Sequence, residues 1–498
     1  MPSTNPATTV LEQIGKSNKG MMTKTILCFL LFSVAFMGQA AILLHSVQEL
    51  LEETERYSLA AKSRVPKEHC IWTKESARFS DRMFFRLFRM HKPCFNKLCT
   101  KIERAVGEDE FRSEKFIEEL SSLGNTTKKS SMYNASKSTT GTYLSGEFKL
   151  ALTLRYLAGA SYLDLYLWSN YDPNYLSGVI KYVIQFWICN DDVFSIDFYR
   201  DILQNPSRVR KITTDFGASS GGILSGCFGA IDGWLVKVKC PTLVEVRNPG
   251  KYMSRKGFFA INVQAIVDKQ KRILWRFIGQ KGSAHDSKVF KSSELYQHLM
   301  LISDDLHEKE LYLVGDSAYS LRGFIMVPID NAKPGTQEDA FNYYLSSQRI
   351  HVECAFGEID RRFGIFWKPL EGKLANHQYR IDACMRLHNY IVDYREEMKR
   401  LGKGIWTEEY ERQELDVESD NFMMENAANT LGARGDEDVT RQAGRPTATE
   451  QFERNRGVEL RNKFKEELAR NNMARPENSD FNNNRVDRHN RTVAAPEE

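Results

Sequence analysis

Residues 226–241 read GCFGAIDGWLVKVKCP, and most of them are the small, apolar and β-branched residues of a buried β-strand. Asp232 lies in the middle of this stretch. A buried carboxylate costs free energy unless a positive charge compensates it. The strand therefore raises the expectation that Asp232 holds a cation, and that the surrounding chain supplies the rest of that site.

The elements that follow this strand come in an informative order. Apolar patterning predicts further strands in KGFFAINVQAIVD (256–268), KRILWRFIG (271–279) and LYLVGDSAY (311–319), a helix over 292–300 before the last of them, and a long helix over 341–366. Three strands, a helix, a strand and a helix is the order of the ribonuclease-H-like fold. We therefore expect an α/β domain with a ribonuclease-H-like mixed sheet and flanking helices.

Acidic residues recur at defined places in these elements. Asp232 is in the first strand, Asp286 is in the loop before the helix, Asp316 ends the fourth strand, and Glu353 is in the long helix. The first and fourth strands of such a sheet are neighbours, so Asp232 and Asp316 should come close together and the helix should add Glu353. Crowded carboxylates repel one another unless cations lie among them.

A pair of Mg²⁺ ions would satisfy these acids, because Mg²⁺ is a hard cation that prefers oxygen ligands. Two metal ions about 3.5–4 Å apart can stabilise both the attacking and the leaving oxygen of a phosphodiester. Each acid also has a structural alternative. Asp286 and Asp316 suit turns or helix caps, and Glu353 suits an ion pair with Arg349 four residues earlier.

Six ordered blocks resemble the nuclease region of PIF/Harbinger transposases, which belong to the DDE superfamily. The blocks cover about 226–395 and are GAIDGWLVKVKCP, YMSRKGFFAINVQAIVD, GSAHDSKVFKSSELY, GDSAY, FNYYLSSQRIHVECAFGEIDRRFGIF and CMRLHNYIVDY. Upstream, FFRLFRMHKPCFNKL and ALTLRYLAGASYLDL are similar to the helical N-terminal region of the same family. Two departures, Trp234-Leu235 and Lys281, leave the acids unchanged.

The resemblance implies a site and a chemistry. The catalytic acids would be Asp232, Asp316 and Glu353, with Asp286 as an accessory acid that also binds the metal, which would be Mg²⁺ or Mn²⁺. The reaction would be metal-dependent DNA cleavage and strand transfer. Residues for contact with DNA are Lys256 and Arg349, for which a solvated salt bridge is the alternative, and Lys181 from the helical region.

The helical region precedes the nuclease-like blocks. Helices are predicted at 147–157, 161–169 and 174–188, separated by tight turns, which is helix-turn-helix spacing. The third helix would then face DNA through Asn174, Tyr175, Ser177 and Lys181. The alternative is a three-helix scaffold without any contact to nucleic acid.

Four regions result. They are a hydrophobic segment with a charged helical connector (1–70), a helical, helix-turn-helix-like DNA-binding region (71–220), the ribonuclease-H-like DDE nuclease domain (221–400) and a polar, largely disordered tail (401–498). Residues 25–44 carry no charge and follow several lysines. This stretch is long enough to span a bilayer. The alternatives are an export signal, a hydrophobic helix packed elsewhere in the protein, and a wrongly assigned start codon.

Two functions remain open at this stage. The first is a DNA endonuclease and strand transferase of transposon origin, acting in the nucleus, and also present in the cytoplasm, together with a separate Myb-like DNA-binding protein and as a homo-oligomer. The second is a domesticated descendant that binds DNA or protein without cleavage, tethered to a membrane if 25–44 is an anchor. The net charge of +4 permits a nucleic-acid partner but does not require one.

Overall fold

The computed structural model describes residues 72–112, 144–402 and 447–476. The chain divides into a first unit, Met1–Glu68, which lies outside the described residues, and a second unit, His69–Glu498. The α-helices are α1 Trp72–Arg78, α2 Asp81–Phe88, α3 Lys92–Val106, α4 Glu108–Arg112, α5 Gly146–Leu157, α6 Tyr162–Ser169, α7 Pro173–Tyr182, α8 Pro206–Gly217, α9 Asp286–Lys291, α10 Glu294–Leu301, α11 Ser303–Glu308, α12 Gln337–Arg362, α13 Leu374–Arg400 and α14 Ala448–Arg470. The strands are β1 Cys227–Lys237, β2 Ala260–Val267, β3 Ile273–Lys281, β4 Tyr312–Val314 and β5 Ile325–Met326.

The five strands form one mixed sheet in the order β3-β2-β1-β4-β5. β1, β2 and β3 form an antiparallel meander, while β4 is parallel to β1 and β5 is parallel to β4. Every residue of β2 is buried, because this strand lies between β3 and β1 and helices cover the sheet. The mixed α/β architecture with flanking helices is consistent with the expected ribonuclease-H-like fold. The short strand β5 adds a fifth strand to the four that the sequence predicts.

The helical region and the sheet share one continuous hydrophobic core, which runs from Trp72 to Leu468. Side chains of the sheet domain also bind backbone groups of the helical region. The Arg276 guanidinium donates to the Ile196 carbonyl over 2.8 Å, and Tyr390 donates to the Cys94 carbonyl over 3.2 Å. The boundary predicted at 220 therefore does not separate two independent cores.

The predicted three-helix unit is present as α5, α6 and α7. Ser161 caps α6 in a capping box with Asp164, and Asp172 caps α7, which explains why both helices begin where the sequence predicts. The third helix ends at Tyr182 and continues as a wider π-helical turn, Val183–Ile188. Its function as a DNA reader stays a prediction.

The C-terminal segment differs from the expected polar, largely disordered tail over 401–498. Residues Ala448–Arg470 form α14, capped by Thr447 in a capping box with Glu450. The apolar residues Leu460, Phe464 and Leu468 recur every four positions and are buried against the domain. The polar composition hid this narrow apolar stripe.

Among the described helices, none is long and apolar enough to cross a membrane. Residues 25–44, which the sequence offers as a candidate span, lie outside the described residues.

Candidate active site

Asp232 lies on β1, and Asp316 follows the end of the neighbouring parallel strand β4 by two residues. Ala230 of β1 is paired with Val314 of β4, and each aspartate follows its paired residue by two positions. Residues two apart point to the same face of a strand, and neighbouring strands are about 4.8 Å apart. The register therefore brings both carboxylates to the same side of the sheet.

Glu353 approaches this side of the sheet from α12. Trp234, two residues after Asp232, stacks on Phe356 of α12 with 5.6 Å between the ring centroids. Glu353 precedes Phe356 by three residues and so lies on the same side of the helix. Its carboxylate is 47% exposed and forms an ion pair with Arg349. The ion pair predicted as the alternative for Glu353 is thus present, and Glu353 is also close enough to Asp316 to raise the pKa of that carboxyl.

The two aspartates have raised pKa values with a common cause. Burial raises the pKa of Asp232 to about 8, and the negative charge of Asp316 contributes to this rise. Burial also raises the pKa of Asp316, and the carboxylates of Asp286 and Glu353 act in the same direction. The charge of Arg349 opposes the rise at both aspartates. The cluster is therefore short of positive charge.

Asp286 is held by a buried polar network that the sequence did not reveal. Its Oδ1 accepts hydrogen bonds from the side-chain amides of Asn262 over 2.8 Å and Gln264 over 2.7 Å. Tyr319 donates its hydroxyl proton to Gln264 Oε1. A Cβ atom at Gly233 would lie 2.2 Å from Asp286 Oδ1, so only glycine lets the carboxylate come this close to β1. Two amides two residues apart in an apolar strand were the available signal.

The four acids have the oxygen donors that a divalent cation prefers, but in this structure they are not close enough together to bind one. Within residues 72–112, 144–402 and 447–476, no three His, Cys, Asp or Glu side chains are grouped closely enough to hold a metal ion. The donors are hard carboxylate oxygens, the ligands that Mg²⁺ and Mn²⁺ prefer. Such a cation would also supply the positive charge that the cluster lacks. The Glu353 carboxylate, turned toward Arg349, would have to rotate toward the aspartates to complete the set.

The other predicted residues lie at different places. Lys256 is exposed in the loop between β1 and β2, and Lys181 is partly exposed on α7. His388 and Asn389 of α13 bind the turn that leads into β3: His388 Nε2 contacts the Lys271 carbonyl over 2.8 Å, and the Asn389 amide bonds both backbone groups of Ile273. This pair fixes the β2–β3 hairpin and does not reach the acids.

Helix α14 connects the two segments that carry Asp286 and Asp316. Glu450 Oε1 accepts from Lys291, at the end of the helix that Asp286 begins, over 2.8 Å, and from Arg322, six residues after Asp316, over 2.9 Å. The Arg322 side chain is only 4% exposed. The two cations hold the pKa of Glu450 at about 2, mainly through the hydrogen bond from Lys291. Glu450 thus links two segments near the acidic site.

Replacing Glu450 by Gln should lower the free energy of unfolding by about 2 kcal/mol, because the buried Arg322 guanidinium loses its charged partner. The measurement is urea denaturation at neutral pH. Glu466→Gln is the control, since the ion pair between Glu466 and Arg470 is largely exposed and should contribute less than about 1 kcal/mol. Equal losses in both variants would contradict the linking role of Glu450.

Comparison with known proteins assigns the sheet domain. Residues 231–389 match the family described as DDE superfamily endonuclease. The chain is 28% identical over 201 residues to "Protein ALP1-like" of Arabidopsis thaliana, which covers 38% of this chain and 48% of the relative. It is 26% identical over 237 residues to "Putative nuclease HARBI1" of Bos taurus and of Homo sapiens, covering 44% of this chain and 62% of each relative. No solved structure gives a significant match.

Residues 231–389 contain all four acids, and the chain spans only about half to under two thirds of the length of these relatives. Members of the DDE superfamily use divalent metals. Residues 231–389 thus match a DDE superfamily endonuclease domain, and the similarity of the chain to the ALP1-like and HARBI1 proteins supports the resemblance to the Harbinger-type family.

Proposed function

We propose that this protein is a metal-dependent DNA endonuclease of transposon origin. Its active site for cutting phosphodiester bonds would consist of Asp232, Asp316 and Glu353. The observation that carries the proposal is the register of β1 and β4, which puts two carboxylates side by side under the helix that bears the third. Because the domain is related to DDE endonucleases, a shared metal explains why these acids are kept together despite their repulsion.

The carboxylates of Asp232, Asp316 and Glu353 would hold Mg²⁺ or Mn²⁺, with Asp286 as a further ligand from the side of Gly233. The chemistry that divalent cations supply at such a set is Lewis-acid stabilisation of the charge that develops on the phosphate. Asn262 and Gln264 orient Asp286 by donating hydrogen bonds to its Oδ1. The orientation of the carboxylate is thereby fixed, and Oδ2 would be the atom that binds the metal.

Arg349 has two functions in this proposal. In the structure it pairs with Glu353 and lies close enough to lower the pKa values of both aspartates. When Glu353 turns to the metal, the guanidinium loses this partner and becomes a donor for the phosphate of the substrate, for which Arg is well suited. Arg349 therefore compensates the acids before DNA arrives and binds the DNA afterwards.

The wider activity follows from the kinship and is also proposed. The 3′-hydroxyl released by cleavage would attack a phosphodiester of a second DNA at the same acids, forming a new O–P bond as the target's own 3′-O–P bond breaks and its 3′-hydroxyl leaves, which is strand transfer. A Myb-like protein would guide the chain to its DNA, and the protein would act as a homo-oligomer in the nucleus. Lys256 and Lys181 would contribute contacts with the DNA backbone.

Glu353→Gln should lower Mg²⁺-dependent cleavage of DNA by at least about 100-fold, because the amide cannot provide the negative charge that the metal requires. The measurement is conversion of supercoiled plasmid to nicked and linear forms. Glu397→Gln is the matched control, since that acid forms an exposed ion pair with Lys97 far along α13. Cleavage by Glu353→Gln at the wild-type rate would exclude the proposed role.

A second candidate is a descendant that binds DNA or protein without cutting. It is favoured by the ion pair between Glu353 and Arg349 and by the open arrangement of the acids. Under this alternative wild-type protein would bind DNA and leave the plasmid intact with Mg²⁺ or Mn²⁺, and Glu353→Gln would change nothing in the cell.

A further inference from the structure

A basic pocket lies next to the loop that leads to Asp286, and the proposed function does not use it. It has a volume of about 420 Å³ and is lined by Val246, Arg247, Asn248, Lys251, Tyr252 and Lys281. Residues 246–252 come from the loop between β1 and β2, and Lys281 ends β3. The loop closes into a short 3₁₀ turn at Pro249–Tyr252, which buries Tyr252 as one wall.

The pocket is cationic, because its lining contains three basic side chains and no acidic one. In the part of the chain that the structure describes, Arg247, Lys251 and Lys281 form no ion pair with a carboxylate. The nearby Glu245 is occupied: it accepts backbone N–H groups of Thr242 over 3.0 Å and Leu374 over 2.8 Å. Three exposed cations around one concavity favour an anion with several oxygens, such as a phosphate group.

Hydrogen bonds connect the wall of the pocket to the loop of Asp286. The Ser283 hydroxyl donates to the Lys251 carbonyl over 2.8 Å, and the Ser283 N–H donates to the same oxygen over 3.2 Å. Asn262 then binds both the Ala284 carbonyl over 3.2 Å and Asp286 Oδ1 over 2.8 Å. Asp286 follows Ser283 by three positions, so their Cα atoms are at most about 11 Å apart, which corresponds to about three nucleotides of a DNA strand at 3.4 Å each.

We propose that the basic pocket binds a backbone phosphate of the DNA strand within about three nucleotides of the bond that is cut. This inference rests on the proposed function for the position of the scissile bond. The pocket would fix the register of the strand over the acids through charge, and it would carry no sequence preference, since phosphate contacts do not read bases. Lys281, one of the two departures from the family pattern, supplies part of that charge.

The test is the affinity of full-length protein for a short fluorescein-labelled DNA duplex in Ca²⁺ over a range of salt concentrations. The variant carries Arg247→Gln, Lys251→Gln and Lys281→Gln. Loss of one phosphate contact should reduce the slope of log affinity against log salt by about 0.9 and weaken binding about eightfold at 0.1 M salt. The control removes the same charge elsewhere, by Lys309→Gln, Lys463→Gln and Arg470→Gln, at cations that pair with exposed acids.

Each outcome decides the inference. Loss confined to the pocket variant supports it; an unchanged pocket variant, or an equal loss in the control, overturns it. Plasmid cleavage by the wild-type protein tests the proposed function separately. If DNA binding depends on the pocket but no cleavage occurs in Mg²⁺, the pocket still binds DNA and the proposed nuclease activity is wrong. Titration with inorganic phosphate is the second arm. If phosphate binds at the pocket but the pocket variant keeps its affinity for DNA, the pocket is a site for a free anion. That result would overturn the assignment to DNA.

Discussion

Asp232→Asn should abolish Mg²⁺-dependent DNA cleavage, with a loss of at least about 10³-fold, and should stabilise the metal-free protein at neutral pH. Both effects have one physical cause. The carboxylate of Asp232 is buried beside Asp316, and this raises its pKa to about 8. An asparagine at this position carries no charge to bury, so it removes the repulsion and the metal ligand together.

The sign of the pH dependence follows from linkage. The pKa of Asp232 is about 8 in the folded protein and about 3.9 in an unfolded chain. The folded state therefore binds this proton more tightly, and the contribution of Asp232 to stability is fully present below about pH 4. It is lost as the pH rises from about 4 to about 8, by at most about 1.4 kcal/mol for each pH unit. In EDTA, wild-type protein should become less stable over this range.

The measurement is urea denaturation in EDTA at several pH values, with plasmid cleavage in Mg²⁺ alongside. Asp360→Asn is the matched control, because burial raises the pKa of this α12 carboxyl to about 7 and it takes no part in the proposed chemistry. Both variants should flatten the pH dependence of stability, and only Asp232→Asn should lose cleavage. If the pH dependence of stability in Asp232→Asn equalled that of the wild type, the pKa of the Asp232 carboxyl would not be raised as described.

Phe464→Ala should lower the free energy of unfolding by about 3–5 kcal/mol, the usual cost of a large cavity in a core. Phe464 is 2% exposed and its ring lies 5.4 Å from that of Tyr312, the first residue of β4. β4 leads directly to Asp316, so α14 supports the strand on which this acid depends. The helix lies beyond the matched residues 231–389 and still completes the core of the domain.

Phe452→Ala on the same helix is the control, since its side chain is 53% exposed and contacts Arg456 on the surface. It should change stability by less than about 1 kcal/mol. Both variants are compared by urea denaturation at neutral pH. If Phe464→Ala were as mild as Phe452→Ala, α14 would not be docked in solution, and the link through Glu450 would fail with it.

Much of the sheet domain could be predicted because its signals are local. Apolar runs and turn residues located β1 to β4 in order, and β1, Cys227–Lys237, lies within the stretch 226–241 that predicted it. The long helix around Glu353 was also predicted, over 341–366, although α12 already begins at Gln337 and ends at Arg362. These elements depend on side chains near one another in the chain, so periodicity detects them.

The parts that sequence did not predict depend on contacts between distant segments. The network around Asp286 joins β2, α9 and Tyr319, and each of its amides alone looks like an ordinary strand residue. α14 was hidden by its polar composition, because its apolar stripe is meaningful only against the surface that covers it. The basic pocket combines the loop after β1 with the end of β3.

The sequence by itself therefore determined which acids exist, on which elements they lie and in what order, because strand and helix periods are set by neighbouring residues. Tertiary structure alone decided how those acids stand to one another. The register of β1 and β4 set Asp232 beside Asp316, Gly233 made room for Asp286, and packing of Phe356 on Trp234 brought the part of α12 that carries Glu353 to the sheet. Such distances arise from folding over many residues of separation, where no local pattern in the chain records them.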